Sequence, residues 1–382
     1  MAEQEQGVEQ QYASIQSLRS QFQAELEAAT KTGYYEKAQE LRYELEVQLI
    51  DLRERMDPVE GFLKLREQYQ SQVQFLREVG FLELFTDGSS IGITDMMNHE
   101  RVIPEYSDIL EKIQNNSEVV NRKIYQGFTK LLIVPFGLPL EDLFEKHSEV
   151  LKKHYEDSGG LLLPRGTTGE QPEKITASFN EIFRFPNEEL LRGDTTGTII
   201  YNPQEYSNNN YGGLTKSQVI DGQAHFIKGW NILLVNDSPA LPRRGMGQEV
   251  RGRKQLETSG SVGQLMHEVG TGQYRYEQGY SIEDWLFHSI AHLYQKKELM
   301  DVASSARGSW FDKGNVCALL NSGAMRSNSP PTQEYNVLTV GWHDKKYPTR
   351  RDFRFQFGFQ SIRTTIADPI NGARTAIDIG KL

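Results

Sequence analysis

Phe353-Arg354-Phe355-Gln356-Phe357-Gly358-Phe359-Gln360-Ser361-Ile362-Arg363 places phenylalanine at every second position through Phe359. Alternation is the period of a β-strand, whose successive side chains point to opposite faces, so this stretch predicts a strand with one buried aromatic face. Upstream, Val337-Leu338-Thr339-Val340-Gly341-Trp342 reads as a second strand, and His343 to Asp352 as the turn between them. The pair predicts an antiparallel hairpin near the end of the chain.

Before this hairpin lies a helix. Ser281-Ile282-Glu283-Asp284 carries the signature of a helix start, with serine at the cap and an acidic residue three positions on. The body, from Trp285 through Leu293, runs on to about Met300. Asp284, His288 and His292 are four apart and so share a helix face, the arrangement by which side chains of these types hold a divalent metal. His267-Glu268 is the one nearby pair able to add a ligand. Zinc hydrolases of the helical two-histidine type need glutamate directly after the first histidine, and Ser289 stands there. The reading is therefore a capped helix with two histidines at the edge of its buried face, and no metal or other cofactor is expected.

Earlier still, Thr129-Lys130-Leu131-Leu132-Ile133-Val134-Pro135-Phe136-Gly137 and Gly229-Trp230-Asn231-Ile232-Leu233-Leu234-Val235 are short apolar runs that read as buried strands. Leu140 to Tyr155 follows the first with helical spacing, and residues 158–220, rich in Gly, Asn, Thr and Pro, separate the two. The long gap between strands predicts α+β, not a doubly wound sheet. Arg243, Arg244, Arg251, Arg253 and Lys254 put five bases within 12 residues. No aromatic side chains interleave them as a nucleic-acid platform requires, so they read as a solvated basic loop.

Residues 1–80 hold 15 acids, 9 bases, four of the 33 glycines and one of the 14 prolines. That is helix composition. Ile15, Leu18, Phe22 and Ala29 form one stripe at three-and-four spacing; Ala38, Leu41, Leu45, Leu52 and Met56 form another. With a stop at Thr30 to Gly33, the stripes predict an antiparallel helical hairpin over 8–30 and 34–56, with a third helix starting at Asp57-Pro58. Such an arm points to coiled-coil self-association.

The whole chain of 382 residues has a net charge of −10, which argues against a general nucleic-acid partner. No apolar run is long enough for a membrane span, and the polar start MAEQEQGVEQ is not a secretory leader. A cytoplasmic location is expected, with export by a route that needs no leader left open. The single cysteine, Cys317, excludes an internal disulfide and a cysteine-built zinc site.

Arg307-Gly308-Ser309-Trp310, followed about fifty residues later by Gly358-Phe359-Gln360-Ser361-Ile362-Arg363, resembles the formylglycine-generating-enzyme branch of the C-type lectin fold. The order of Thr129 to Gly137, Gly229 to Leu234, Gly252 to Glu257 and Glu277 to Leu286 ahead of that tail is similar to variable proteins of diversity-generating retroelements from small-genome uncultured bacteria. Gln360 departs from the arginine usual after Gly-Phe, and 364–382 extends past the expected last strand.

The resemblance implies three parts: a helical arm over 1–80, an α+β region over 81–240, and a C-type lectin-like display domain over 241–382. It implies a non-enzymatic protein that binds an unknown protein or surface ligand through exchangeable residues. The residues expected to make that surface are Trp310, Asn321, Ser322, Arg326, Asn328, Trp342, His343, Asp344, Tyr347 and Arg350. Their types suit adaptable recognition, since Trp and Tyr give rigid contact area and Asn, Ser and Arg give hydrogen bonds. Copper oxidation of the formylglycine type needs paired cysteines, which this chain lacks. The alternatives are a metal-dependent enzyme of the same fold using Asp284, His288 and His292, or a phage-tail-like adhesin.

Overall fold

The computed structural model describes residues 2–35, 37–42, 44–45, 48, 63–162, 174–176, 178–183, 186–203, 213–222, 227–242, 244–258, 261–303, 316–320, 322–325, 336–345, 354–363 and 371–382. They form two compact units, Met1–Glu67 and Gln68–Leu382.

In the first unit the helix Ala2–Thr32 ends at Gly33, whose φ of 77° is the left-handed turn that glycine tolerates best. The chain returns antiparallel: Lys37 lies 2.7 Å from Glu25, and Ser14 Oγ donates to Gln48 Oε1 at 3.0 Å. Ile15, Leu18, Ala29 and Ala38 are buried. The hairpin read from the two stripes is thus present as far as residue 48. Leu52, Met56 and the helix start at Asp57-Pro58 lie outside the described residues.

The second unit is α+β, and among its described residues the two largest sheets have four and seven strands. The strand Lys130–Val134 pairs antiparallel with Asn231–Val235, Leu132 opposite Leu233. Leu131 to Val134 and Ile232 to Val235 are all buried, so these strands are covered on both faces, which is why they read as continuous apolar runs. Thr375–Asp378 and Gln278–Gly279 complete a four-stranded antiparallel sheet. The helices Leu140–Ser158 and Ile282–Lys296 pack together, and the second also packs on Lys130–Val134.

Among the described residues the second sheet has seven strands. Asn336–Lys345 and Arg354–Arg363 form the expected hairpin, paired over ten positions from Asn336 opposite Arg363 to Lys345 opposite Arg354. The burial of the phenylalanine face lies outside the described side chains. The other edge of Asn336–Lys345 is shared by three short strands: Ser322–Met325, Val316–Ala318 and Val302–Ala303, the last running parallel to it. Ile199–Tyr201 and Asn371–Ala373 close the sheet at its two ends.

This connectivity corrects the expected domain borders. Ile199–Tyr201, from the 81–240 region, belongs to the carboxy-terminal sheet, while Thr375–Asp378, from the tail, belongs to the sheet built by 130–134 and 231–235. The two sheets exchange strands, so the chain divides at 67/68 and not at 80/81 and 240/241.

Buried ions hold the exchange point. Arg374 is the one residue between Asn371–Ala373 and Thr375–Asp378, and its guanidinium donates twice to Asp301, at 2.7 Å each. Asp301 also accepts from Trp285 Nε1 at 2.8 Å, and its amide donates to Pro239 O at 2.9 Å. Beside it, Glu277 accepts from Arg253 at 2.7 and 2.8 Å, from Lys123 at 2.7 Å and from Thr375 Oγ1 at 2.6 Å. Burial alone pushes the Glu277 carboxyl up, but Arg253, Lys123 and Thr375 outweigh it and hold it below the usual range. Arg253 is therefore buried, a correction to the solvated loop in which the sequence places it.

Removing one member of such a network strands the rest without compensation. Arg253→Met is expected to cost about 3–5 kcal/mol, read from the urea midpoint. A loss under about 1 kcal/mol would contradict the assignment.

Candidate functional site

The helix Ile282–Lys296 starts as its sequence indicates. Ser281 Oγ accepts from the Asp284 amide at 3.1 Å, and Asp284 Oδ2 accepts from the Ser281 amide at 2.9 Å. It stops earlier than Met300, because Lys297 adopts a left-handed φ of 63° and caps it through a bond to Leu293 O. Nearly every side chain along its length is buried.

The capping box takes Asp284 away from the histidines. Its other oxygen accepts from Asn231 Nδ2 at 3.0 Å, and burial pushes its carboxyl up to about 6 against the bonds from Asn231 and Ser281. The face shared by Asp284, His288 and His292 on a helical wheel is thus not a ligand set. A side chain in the first turn that folds back onto its own N-cap cannot also reach along the helix. His267, on the helix Val262–Glu268, is exposed and adds nothing to the cluster.

His288 and His292 meet Asp237 instead. Asp237 follows the strand Asn231–Val235, and its Oδ1 lies 3.2 Å from His292 Nδ1 and 3.5 Å from His288 Nε2. These three residues offer ligand atoms within 4.8 Å of one another. Both histidine side chains are 1% exposed and Asp237 is 23% exposed, so the cluster has one side toward solvent. Each imidazole has an outer neighbour: Tyr280 Oη at 2.9 Å from His288 Nδ1, and Glu298 Oε1 at 3.4 Å from His292 Nε2. Burial lowers His288 to about 4, so it is neutral at pH 7. Burial pushes the Asp237 carboxyl up, but the histidines and the charge of Lys130 outweigh it and keep Asp237 ionised. No local spacing signals Asp237, which lies 55 residues from His292. Its position is fixed by the turn after a strand, and that turn is anchored by the Asp301 amide on Pro239.

The residues expected to display a ligand surface are placed in part. Ser322 starts the strand Ser322–Met325, opposite Tyr201. Trp342, His343 and Asp344 sit near the end of Asn336–Lys345, opposite Phe357, Gln356 and Phe355. Trp310, Asn321, Arg326, Asn328, Tyr347 and Arg350 lie outside the described residues. An open cleft of about 570 Å³ elsewhere is lined by Arg244, Lys254, Glu257 and Glu268, and Lys254 is spent on Glu257 at 3.2 Å, so it carries no single sign of charge.

No protein-family model, curated protein or solved structure matches the chain. No helix among the described residues is long and apolar enough to cross a membrane.

A third histidine, His147, lies across the helix pair. Its Nε2 meets Ser289 Oγ at 3.3 Å, its ring centre is 5.9 Å from that of Phe183 and 6.2 Å from that of Trp285, and burial lowers it from 6.5 to about 3. The unfolded chain therefore takes up this proton first. The stability that neutral His147 contributes is whole above about pH 6.5 and is lost as pH falls toward 3, at about 1.4 kcal/mol per pH unit. His147→Gln is expected to flatten the fall of unfolding free energy between about pH 6 and pH 4. An unchanged slope in that window would contradict a buried neutral imidazole.

Proposed function

We propose that the chain is a non-enzymatic ligand-binding protein that displays an exchangeable surface from its carboxy-terminal sheet. The scaffold in this reading is C-type lectin-like, of the formylglycine-generating-enzyme kind, as in variable proteins of diversity-generating retroelements. The observation that carries it is the pairing of Asn336–Lys345 on both edges. Ten residue pairs tie it to Arg354–Arg363, and three short strands fill its other side. A strand held in this way keeps its position while the segments that leave its ends change in sequence.

Strand directions sharpen which residues belong together. Val302 lies opposite Trp342 and Ala303 opposite His343, in parallel, so the chain leaves Ala303 toward the same end as Lys345. Trp342, His343 and Asp344 lie toward that same end of the strand. Ala324 lies opposite Val337 in antiparallel register, so Ser322–Met325 runs toward the Asn336 end.

Sequencing the gene and its flanks across many cells of its source population tests this. Substitutions are expected to concentrate in codons for residues 310–352, beside a reverse-transcriptase gene and an imperfect repeat that differs at adenines. Flanks with neither feature, together with evenly spread substitutions, would contradict it.

A further inference from the structure

We propose that Asp237 Oδ1, His288 Nε2 and His292 Nδ1 bind one divalent transition-metal ion, with Zn²⁺ the best fit. The reading is independent of the display surface, since all three groups lie on the helix Ile282–Lys296 and on the turn after Asn231–Val235.

Two imidazoles and one carboxylate suit zinc and its first-row neighbours, whereas calcium and magnesium take oxygen ligands. The spacing fits. Atoms about 2.0–2.1 Å from one tetrahedral ion stand about 3.3 Å from each other. The two separations from Asp237 Oδ1, 3.2 and 3.5 Å, bracket that value. The histidines are four apart on one helix and so share a face, and the three ligand atoms all lie within 4.8 Å of one another.

The orientation of each ring supports the same assignment. Tyr280 engages His288 Nδ1, which turns Nε2 toward Asp237, and that buried nitrogen has no hydrogen-bond partner. A buried, unpartnered imidazole nitrogen aimed at a carboxylate is costly unless something occupies the space between them. Glu298 Oε1 lies 3.4 Å from His292 Nε2, a buried nitrogen that also makes no hydrogen bond, so Glu298 stands where an outer carboxylate would orient a metal-bound histidine.

Two lysines oppose the ion without blocking it. Lys296 Nζ is 4.0 Å from Asp237 Oδ2, the oxygen the metal does not use, and its side chain is 54% exposed and so screened by water. Lys130 is held by Gln295. Their charge weakens binding relative to an all-anionic site. Three protein ligands leave a coordination position for water on the side where Asp237 reaches solvent.

The test uses the full chain after treatment with EDTA. Zn²⁺ titrated by calorimetry, with metal counted after gel filtration, is expected to give one high-affinity ion per chain and a raised melting temperature. His288→Gln, His292→Gln and Asp237→Asn are expected to lose that ion, and Glu298→Gln to weaken it about 10–100-fold. His267→Gln, at an exposed histidine outside the cluster, is expected to retain it. Co²⁺ added to the wild-type chain gives a second reading that needs no variant: the visible bands of four- or five-coordinate cobalt. No zinc and no cobalt bands in the wild-type chain would overturn the site. So would zinc that persists at full stoichiometry in all three ligand variants.

Discussion

Arg374 occupies the single-residue step by which the chain passes from one sheet to the other, and its guanidinium grips the fully buried Asp301 with two bonds of 2.7 Å. Much of the second unit is arranged around that pair. Asp301 adopts a left-handed φ of 55°, which for a non-glycine residue must be held by its surroundings. Its carboxylate fixes Trp285 near the start of the histidine helix, and its amide fixes the turn that carries Asp237. The next residue begins the strand Val302–Ala303. Desolvating an ion pair costs several kcal/mol per ion, and geometry this close, with remaining polar groups satisfied, offsets that cost. In return it specifies one way of joining two sheets where apolar packing alone would permit several.

The Glu277 network repeats the device one step along the chain. Thr375 follows Arg374 and donates to Glu277, which stands just before the strand Gln278–Gly279. Lys123 brings in the helix Ser117–Tyr125 from 154 residues away, and Arg253 the short strand Arg253–Lys254. A third set lies where Lys216 sits between Asp194 at 3.1 Å and Glu283 at 3.0 Å, with Tyr201 donating to Glu283 at 2.7 Å. That set joins Ile199–Tyr201 of the carboxy-terminal sheet to the histidine helix. A Cβ at Gly279 would collide with Leu320, so the sheets also approach closely where the ions draw them together.

Local patterns carried the elements and little of their assembly. The capping box at Ser281, the buried runs at 130–134 and 231–235, and the alternation through Phe359 each name an element, because each depends on neighbours in sequence. Strand exchange between the sheets leaves no such trace. A tail strand such as Thr375–Asp378 reads as any short polar-apolar mix until its partners are known. Arg253 looked like one base among five because its partner, Glu277, is 24 residues away. The cluster was legible by half for the same reason: His288 and His292 share a helix face, whereas Asp237 arrives from a turn. Asp284 misled, since equal spacing does not show that a first-turn carboxylate is already committed to its own cap.

If the buried ions make the two sheets one cooperative body, their strands must open together. Native-state hydrogen exchange at Val340, in the carboxy-terminal sheet, and at Ile377, in the other, measures this in the wild-type chain and in Asp301→Asn. The account predicts equal opening free energies at the two amides, lowered together by the substitution. A fall at Val340 with Ile377 unchanged would show two sheets that are merely adjacent, and would contradict it.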